Sequence, residues 1–468
     1  MARVGFYELE NGMDLVVHRD PDANEFHFLF GAKMGSEKEG VKRIEGAHLL
    51  EHLFFQSNGL ERTLSLLHER ANRGIRTQGE TSHGHVYGFF SGPTRQMRYI
   101  METAYESLMN NQHDLAQFER EKRIITIEGK SMKNNQGVRM DEVMLSYLYP
   151  GTRYALTFDE LISHIPALTL TKTLDLKRQL FRPSNMTLVA IGNKDADTIN
   201  AIANETFGKL PKSRKLTPYR PALSTPEPFI VETSDRGIHT CHVRHVFRAG
   251  SDSLPNAKER MARLYLLHSA LGAGNEYDTS FLYQNLRLKT GRSYVPEATI
   301  VEGPPEQLLQ IDYDCEEQDI EPNIYNITQI LSLLASKRLS PALVKTYANF
   351  AVNEFNKETA DVEEELAKWY LGNSANGVMM STKEFKQLIR SVSPERLRRT
   401  AEELMPDMGT FVFRPAPDPI TTVTSVNGVP VNAQPAFGNS SSLPVVGADG
   451  APGSSTSSSP DSTILNDT

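Results

Sequence analysis

Four residues stand out for the chemistry that their types and spacing allow: His48, Glu51, His52 and Glu128. The first three form an H-x-x-E-H stretch, His48-Leu49-Leu50-Glu51-His52, inside residues 46–58. On a helix, side chains at i and i+4 are neighbours one turn apart, so the two imidazoles point the same way. Two imidazoles so placed can share one zinc ion, while Glu51 lies between them without being needed as a ligand. The bland reading of the same residues is an amphipathic helix with two core histidines, since Leu49, Leu50, Leu53 and Phe54 supply an apolar face.

A catalytic zinc takes three protein ligands and keeps a position open for water. Cys241 and Cys315 are the only cysteines, too few for a thiolate site or a disulfide framework, so zinc would be held by histidine and carboxylate, and a carboxylate is the expected third ligand. The predicted helix over 114–133 offers Glu119, Glu121 and Glu128. Glu121 and Glu128 are seven residues apart, two helical turns, and share a face. Glu128 stands beside Ile124, Ile125 and Ile127, and a carboxylate among apolar neighbours needs a partner such as a metal. Glu119 reads instead as part of a solvated face with Glu–Lys pairs.

The elements that must position these residues follow from hydrophobic periodicity. A hairpin over 4–18 turns at Asn11-Gly12, a strand runs over 26–32, and the H-x-x-E-H helix follows a Gly/Glu-rich loop. A helix at 60–72 precedes a β pair, 75–82 and 85–90, then helices at 94–110, 114–133 and 141–147. A helix near 171–180, a strand at 186–191 and a helix at 196–207 complete a first unit. Pro211, Pro218, Pro221, Pro226 and Pro228 mark a linker over 211–228. The order then restarts: strands at 229–233 and 239–247, helices at 256–271 and 280–289, strands at 293–301 and 308–314, more helices, and a closing strand at 410–413. This predicts an α+β protein of two similar domains, 1–210 and 229–415, each a mostly antiparallel sheet covered by helices. Residues 416–468 turn to Pro, Ser, Gly, Thr and Asn and read as a disordered tail. His83 and His85 sit at a turn and are expected to be solvated or hydrogen-bonding. His239, Cys241 and His245 share a strand face, and an alternating half-buried strand explains that spacing better than a second metal site.

Bulk properties narrow the classes. At 468 residues, 39% hydrophobic and 23% charged, the chain is globular in composition. A net charge of −8 without a basic run argues against nucleic acid or an anionic membrane as the main partner. No apolar run approaches a membrane span, and the first residues show no signal core, so a cytoplasmic protein is the default expectation.

Taken in order, these pieces resemble the pitrilysin family of inverted-motif zinc peptidases, which includes insulin-degrading enzyme and mitochondrial processing peptidase. Gly35-Ser36 followed by Gly46-Ala47-His48-Leu49-Leu50-Glu51-His52 is similar to the family's zinc-helix signature. Glu128 stands at about the family's interval for the third ligand, and Glu121 matches its buried supporting glutamate. Leu286-Arg287-Leu288-Lys289-Thr290-Gly291-Arg292-Ser293-Tyr294 resembles the segment in which an arginine and a tyrosine reach across to the site. One departure stands on the substrate edge strand, where Gln78-Gly79 replaces the family's Asn-Ala.

The resemblance implies one zinc per chain on His48, His52 and Glu128, with Glu121 behind them. It implies a zinc-dependent endopeptidase cleaving short or unfolded peptides by attack of a zinc-bound water, with Glu51 as general base. Substrate is then an added strand along Gln78, Gly79, Glu80, Thr81 and Ser82, gripped by Arg287 and Tyr294 across a clam-like chamber. A half-length chain of this kind is expected to pair as a homodimer or with a related subunit. The alternative is a non-catalytic binding or structural subunit of the same fold; His48, Glu51, His52, Glu128, Arg287 and Tyr294 are all present, which favours the enzyme.

Overall fold

The computed structural model describes residues 3–215, 228–235, 238–249, 257–272, 279–301, 306–415 and 421–425. In the first half, β1 (Arg3–Glu8) and β2 (Asp14–Arg19) form a hairpin whose turn is made by Gly12 at φ +86°, a conformation that suits a residue without Cβ. There follow β3 (Glu25–Ala32), α1 (Gly46–Phe54), α2 (Leu60–Asn72), β4 (Arg76–Thr81) and β5 (Val86–Pro93). Next come α3 (Met97–Met109), α4 (Leu115–Met132), α5 (Gln136–Leu148), α6 (Phe158–His164) and α7 (Leu170–Leu180), then β6 (Met186–Gly192) and α8 (Ala196–Glu205). The second half runs β7 (Phe229–Asp235), β8 (Cys241–Arg248), α9 (Ala257–Leu271), β9 (Glu297–Val301) and β10 (Leu308–Cys315). It continues with α10 (Ile320–Ser336), α11 (Pro341–Phe355), α12 (Glu363–Ala375), α13 (Thr382–Ser391) and α14 (Pro394–Leu404), and closes with β11 (Met408–Pro415) and β12 (Thr421–Ser425).

The two halves repeat one plan. The first sheet has the order β1-β2-β6-β3-β5-β4 and the second β12-β7-β11-β8-β10-β9. In each, the second and third strands are parallel (β2 with β6, β7 with β11) and the other neighbours are antiparallel. The protein is therefore α+β with two mostly antiparallel sheets, as its sequence pattern predicts.

Each sheet is buried on both faces, and the second face is covered by the other half. Phe26, Phe28 and Phe30 of β3 pack with Leu50, Phe54, Ile100, Met101 and Ile202 on the first sheet's own helices. The opposite face, Val16, Leu29, Tyr87, Phe89 and Val189, is covered by Leu366, Ala367, Tyr370 and Leu371 of α12. Reciprocally, Phe229, Val231, Val246, Phe411 and Phe413 of the second sheet lie under Met140, Met144 and Leu148 of α5. Burial on both faces explains why β6, interrupted only by Thr187, reads as a nearly continuous apolar run and not as an alternating one.

Three expectations change. The helix expected over 280–289 is a short π-helical turn, Tyr283–Leu288, and the strand expected from 293 begins at Glu297, because Pro296 cannot donate to the ladder. Part of the stretch read as a disordered tail, Thr421–Ser425, is a strand paired with the outer edge of β7. The rest of 416–468, and 216–227 of the expected linker, lie outside the described residues. Among the described residues no helix is long and apolar enough to cross a membrane.

Candidate metal centre

Helix α1 is held from two sides, which leaves one face for chemistry. Ala47, Leu50 and Phe54 enter the sheet core, while Leu49 and Leu53 pack on Phe118 and Ile125 of α4. His48 and His52 face Glu128 of α4, and Glu51, with Phe55 just past the helix end, lies beside Gly79 of the edge strand β4.

The structure brings His48, His52 and Glu128 together. Nε2 of His48 lies 3.3 Å and Nε2 of His52 3.4 Å from the same Glu128 oxygen. One ligand atom from each residue lies within 4.8 Å of the other two, a span that a single cation can bridge. The far nitrogens are occupied: Nδ1 of His52 lies 3.1 Å from the buried Glu121 carboxylate, and Nδ1 of His48 lies 3.0 Å from Glu45. A carboxylate on Nδ1 fixes the tautomer that offers Nε2 to a metal. The donor set thus fits zinc: two imidazole Nε2 atoms and a carboxylate oxygen facing one point. Burial opposes charge on His48, but hydrogen bonds to Glu128 and Glu45 outweigh it and push its pKa up to about 10. The His48 hydrogen bond holds the Glu128 carboxyl below the usual carboxylate range.

Glu128 earns its place by spacing and not by apolar surroundings. Its side chain is 47% exposed, and the neighbouring Ile127 is 66% exposed. Glu119 faces solvent and pairs with Lys122 at 3.1 Å, as a solvated helix face predicts. Burial raises the Glu51 carboxyl above its usual range, against the opposing pull of the His48 and His52 charges.

Three residues that the sequence did not single out surround the N-terminus of α1. Glu39 accepts hydrogen bonds from the backbone N–H groups of Glu45 (3.0 Å) and Ala47 (2.6 Å), satisfying donors that a helix start leaves open. Arg153 joins Glu39 (3.2 Å) to Glu45 (2.9 Å). The signal available was only the run of acids, Glu37, Glu39 and Glu45, ahead of the motif.

Strand β4 is a sheet edge and passes beside α1. Thr77, Gly79 and Thr81 face α1, and Thr81 Oγ1 lies 3.4 Å from the Ala47 carbonyl oxygen. A Cβ at Gly79 would stand 2.8 Å from Cγ and 2.9 Å from Oε1 of Glu51, and 3.0 Å from a Phe55 ring carbon. Gln78 and Glu80 point the other way. The Glu80 carboxylate is committed to His85 (3.0 Å), Tyr87 (3.2 Å) and Lys368 of α12 (3.0 Å). Ser82 lies beyond the strand: its hydroxyl accepts the N–H groups of Gly84 and His85, and its carbonyl accepts that of Ser36. Of the expected substrate strand, Ser82 is thus a turn residue and Glu80 a structural tie.

Arg287 and Tyr294 keep to their own segment of the second half. Arg287 donates to the Tyr294 carbonyl at 2.9 Å and lies over the Tyr283 and Tyr294 rings, and Tyr294 is 72% exposed. His83 and His85 are hydrogen-bonding residues, His83 to Ser36 (3.1 Å) and His85 to Glu80. His245 is fully buried between Thr410 and Tyr313, and Cys241 is buried opposite Cys315, as a packed strand requires.

Residues 167–349 match the family described as the peptidase M16 inactive domain; that stretch contains none of His48, Glu51, His52 and Glu128. The chain is 22% identical over 287 residues to an uncharacterised zinc protease of Mycobacterium leprae, covering 61% of this chain and 63% of that protein. It is 23% identical over 259 residues to the mitochondrial-processing peptidase subunit beta of Saccharomyces cerevisiae, covering 53% of this chain and 54% of that one. The matches thus span less than two thirds of these relatives' lengths. Among solved structures, pitrilysin superposes with a TM-score of 0.72 at 16% identity over 90% of this chain, which is 47% of that chain.

Proposed function

We propose, from the premise that this chain is a relative of the pitrilysin-type peptidases, that it is a zinc-dependent endopeptidase with His48, His52 and Glu128 as the metal ligands. The observation that carries the reading is the convergence of two imidazole Nε2 atoms on one Glu128 oxygen, at 3.3 and 3.4 Å, with both Nδ1 atoms already held by carboxylates. Zinc bound there would supply a Lewis acid that lowers the pKa of a coordinated water and polarises a peptide carbonyl.

The chain's own residues do the rest. Glu51 lies on the same half-buried face of α1 and takes a proton from the attacking water at its carboxylate. It then gives that proton to the leaving amine nitrogen. Glu121 keeps the His52 ring in register through Nδ1. A peptide added along the open edge of β4 at Gln78 and Gly79 would present its backbone beside Glu51. Arg287 and Tyr294 would meet that peptide from the second half. A second copy or a related subunit is the proposed partner, in line with the chain spanning about half of pitrilysin's length.

Two substitutions separate ligand from base. Glu51→Gln leaves all three ligands in place, so zinc stays bound while peptide turnover falls by at least about 10² to 10⁴. Glu128→Gln weakens zinc binding and activity together. Zinc content by elemental analysis and cleavage of a mixed peptide library measure both. A Glu51→Gln protein that loses zinc, or one that keeps full activity, overturns the assignment.

A further inference from the structure

Glu45 is the single non-glycine residue with positive φ among the described residues, at φ +65° and ψ +9°. An L-residue with a full side chain adopts this left-handed conformation only at an energetic cost, and glycine is the residue that adopts it freely. Such strain persists where surrounding contacts over-determine it, and those contacts are visible here. The Glu45 carboxylate is divided between two partners: Oε2 lies 3.0 Å from Nδ1 of His48, and Oε1 accepts from Arg153 Nη2 at 2.9 Å. Arg153 also donates through Nε to Glu39, and Glu39 accepts the backbone N–H of Glu45 itself. The side chains of Glu39, Arg153 and Glu45 are 0%, 8% and 13% exposed, so this is an enclosed network and not a surface pair.

We propose that Glu45 is a positioning residue for His48: its backbone strain is retained because only this conformation carries a carboxylate to Nδ1. His52 receives the same service from Glu121 on α4, whose backbone is ordinary helix. His48 lies near the start of α1, and Glu45, three residues before it, supplies the carboxylate within reach of its Nδ1. Arg153 Nη2, 2.9 Å from Oε1, keeps that carboxylate from turning away. The inference rests on the zinc reading and assigns to each imidazole ligand its own carboxylate.

The test uses the two properties that strain and positioning move in opposite directions. Glu45→Gly removes the carboxylate and relieves the backbone, so the metal-free protein melts at the same temperature or higher. Zinc affinity, measured by chelator competition, falls about 10- to 100-fold, the usual cost of losing such a partner. Glu45→Gln keeps an oxygen that accepts from Nδ1–H, so its zinc affinity falls less than that of Glu45→Gly. With cobalt in place of zinc, the visible spectrum shifts in Glu45→Gly and is closer to wild type in Glu45→Gln. Tight zinc binding in Glu45→Gly overturns the proposal. So does a Glu45→Gly loss of affinity that tracks a lowered melting temperature of the metal-free protein, which would mark Glu45 as merely structural. A wild-type chain that takes up no zinc overturns the metal centre itself, a different and separately readable failure.

Discussion

Gly79 sets the tightest clearance at the centre, since an added Cβ would meet the Glu51 side chain at 2.8 Å and Phe55 at 3.0 Å. The Gln78-Gly79 departure from the family pattern therefore has a local counterpart: β4 runs so near α1 that a side chain has little room. Gly79→Ala should push Glu51 out of line without touching a metal ligand. A misplacement of about 1 Å costs on the order of 10² in rate, so turnover should drop by roughly tenfold or more while zinc content stays at one per chain. Unchanged turnover would mean that Glu51 and Phe55 shift freely and that their placement by β4 has no consequence. The centre was only partly legible at this scale. His48, Glu51 and His52 are visible in sequence because helical spacing puts them on one face. Glu128 was chosen for apolar neighbours, of which Ile125 is buried but Ile127 is exposed like Glu128 itself, and its two-turn spacing from Glu121 was the sounder argument. Glu45, Glu39 and Arg153 were invisible, because their association depends on one positive φ and on a contact spanning more than a hundred residues.

Elements were read more reliably than contacts. The β1–β2 hairpin, α1, α2, α4 and the β4–β5 pair follow from alternation, helical stripes and turn residues, which are local properties. β12 was missed because its surroundings are polar and Pro-rich, although Thr421-Thr-Val-Thr-Ser425 is itself rich in β-branched residues and β7 offers it an edge. Nor does the pattern of β4 reveal that Glu80 ties the edge strand to α12. Burial alone would raise the Glu80 carboxyl, but hydrogen bonds and charge from His85 and Lys368 bring it down to about 2. A carboxylate lowered on folding stabilises the native state above its ordinary pKa, and that contribution disappears as pH falls toward 2. Glu80→Gln should thus lower the melting temperature near neutral pH, with the difference from wild type shrinking between about pH 4.5 and 2. The Glu80 side chain is 39% exposed, so solvent screening keeps the effect at about 1 kcal/mol or less. A pH-independent difference would show that the tie does not depend on the Glu80 charge.

Across the whole molecule, the repeat of one strand order was legible only as a restart of element types, because a sequence shows which face is apolar and not what covers it. α12 belongs by chain order to the second half, yet Leu371 packs so closely on β3 that a Cβ at Gly31 would approach its methyl carbons to 2.6 Å. α5 makes the reciprocal crossing, with Met144 buried over the second sheet and its sulfur 3.2 Å from Gln310 Nε2. Neither half can expose its sheet without uncovering a face that the other half's helix buries. The halves should therefore unfold together. Leu371→Ala and Met144→Ala each remove a buried side chain, at a cost of about 2–5 kcal/mol. Each should shift one common midpoint, whether followed by the fluorescence of Trp369, the single tryptophan, or by far-ultraviolet circular dichroism. The two substitutions lie in opposite halves of the chain, so equal behaviour cannot come from a shared local defect. If Leu371→Ala instead splits unfolding into two steps, with the second sheet melting at its wild-type midpoint, the crossed helices do not couple the halves.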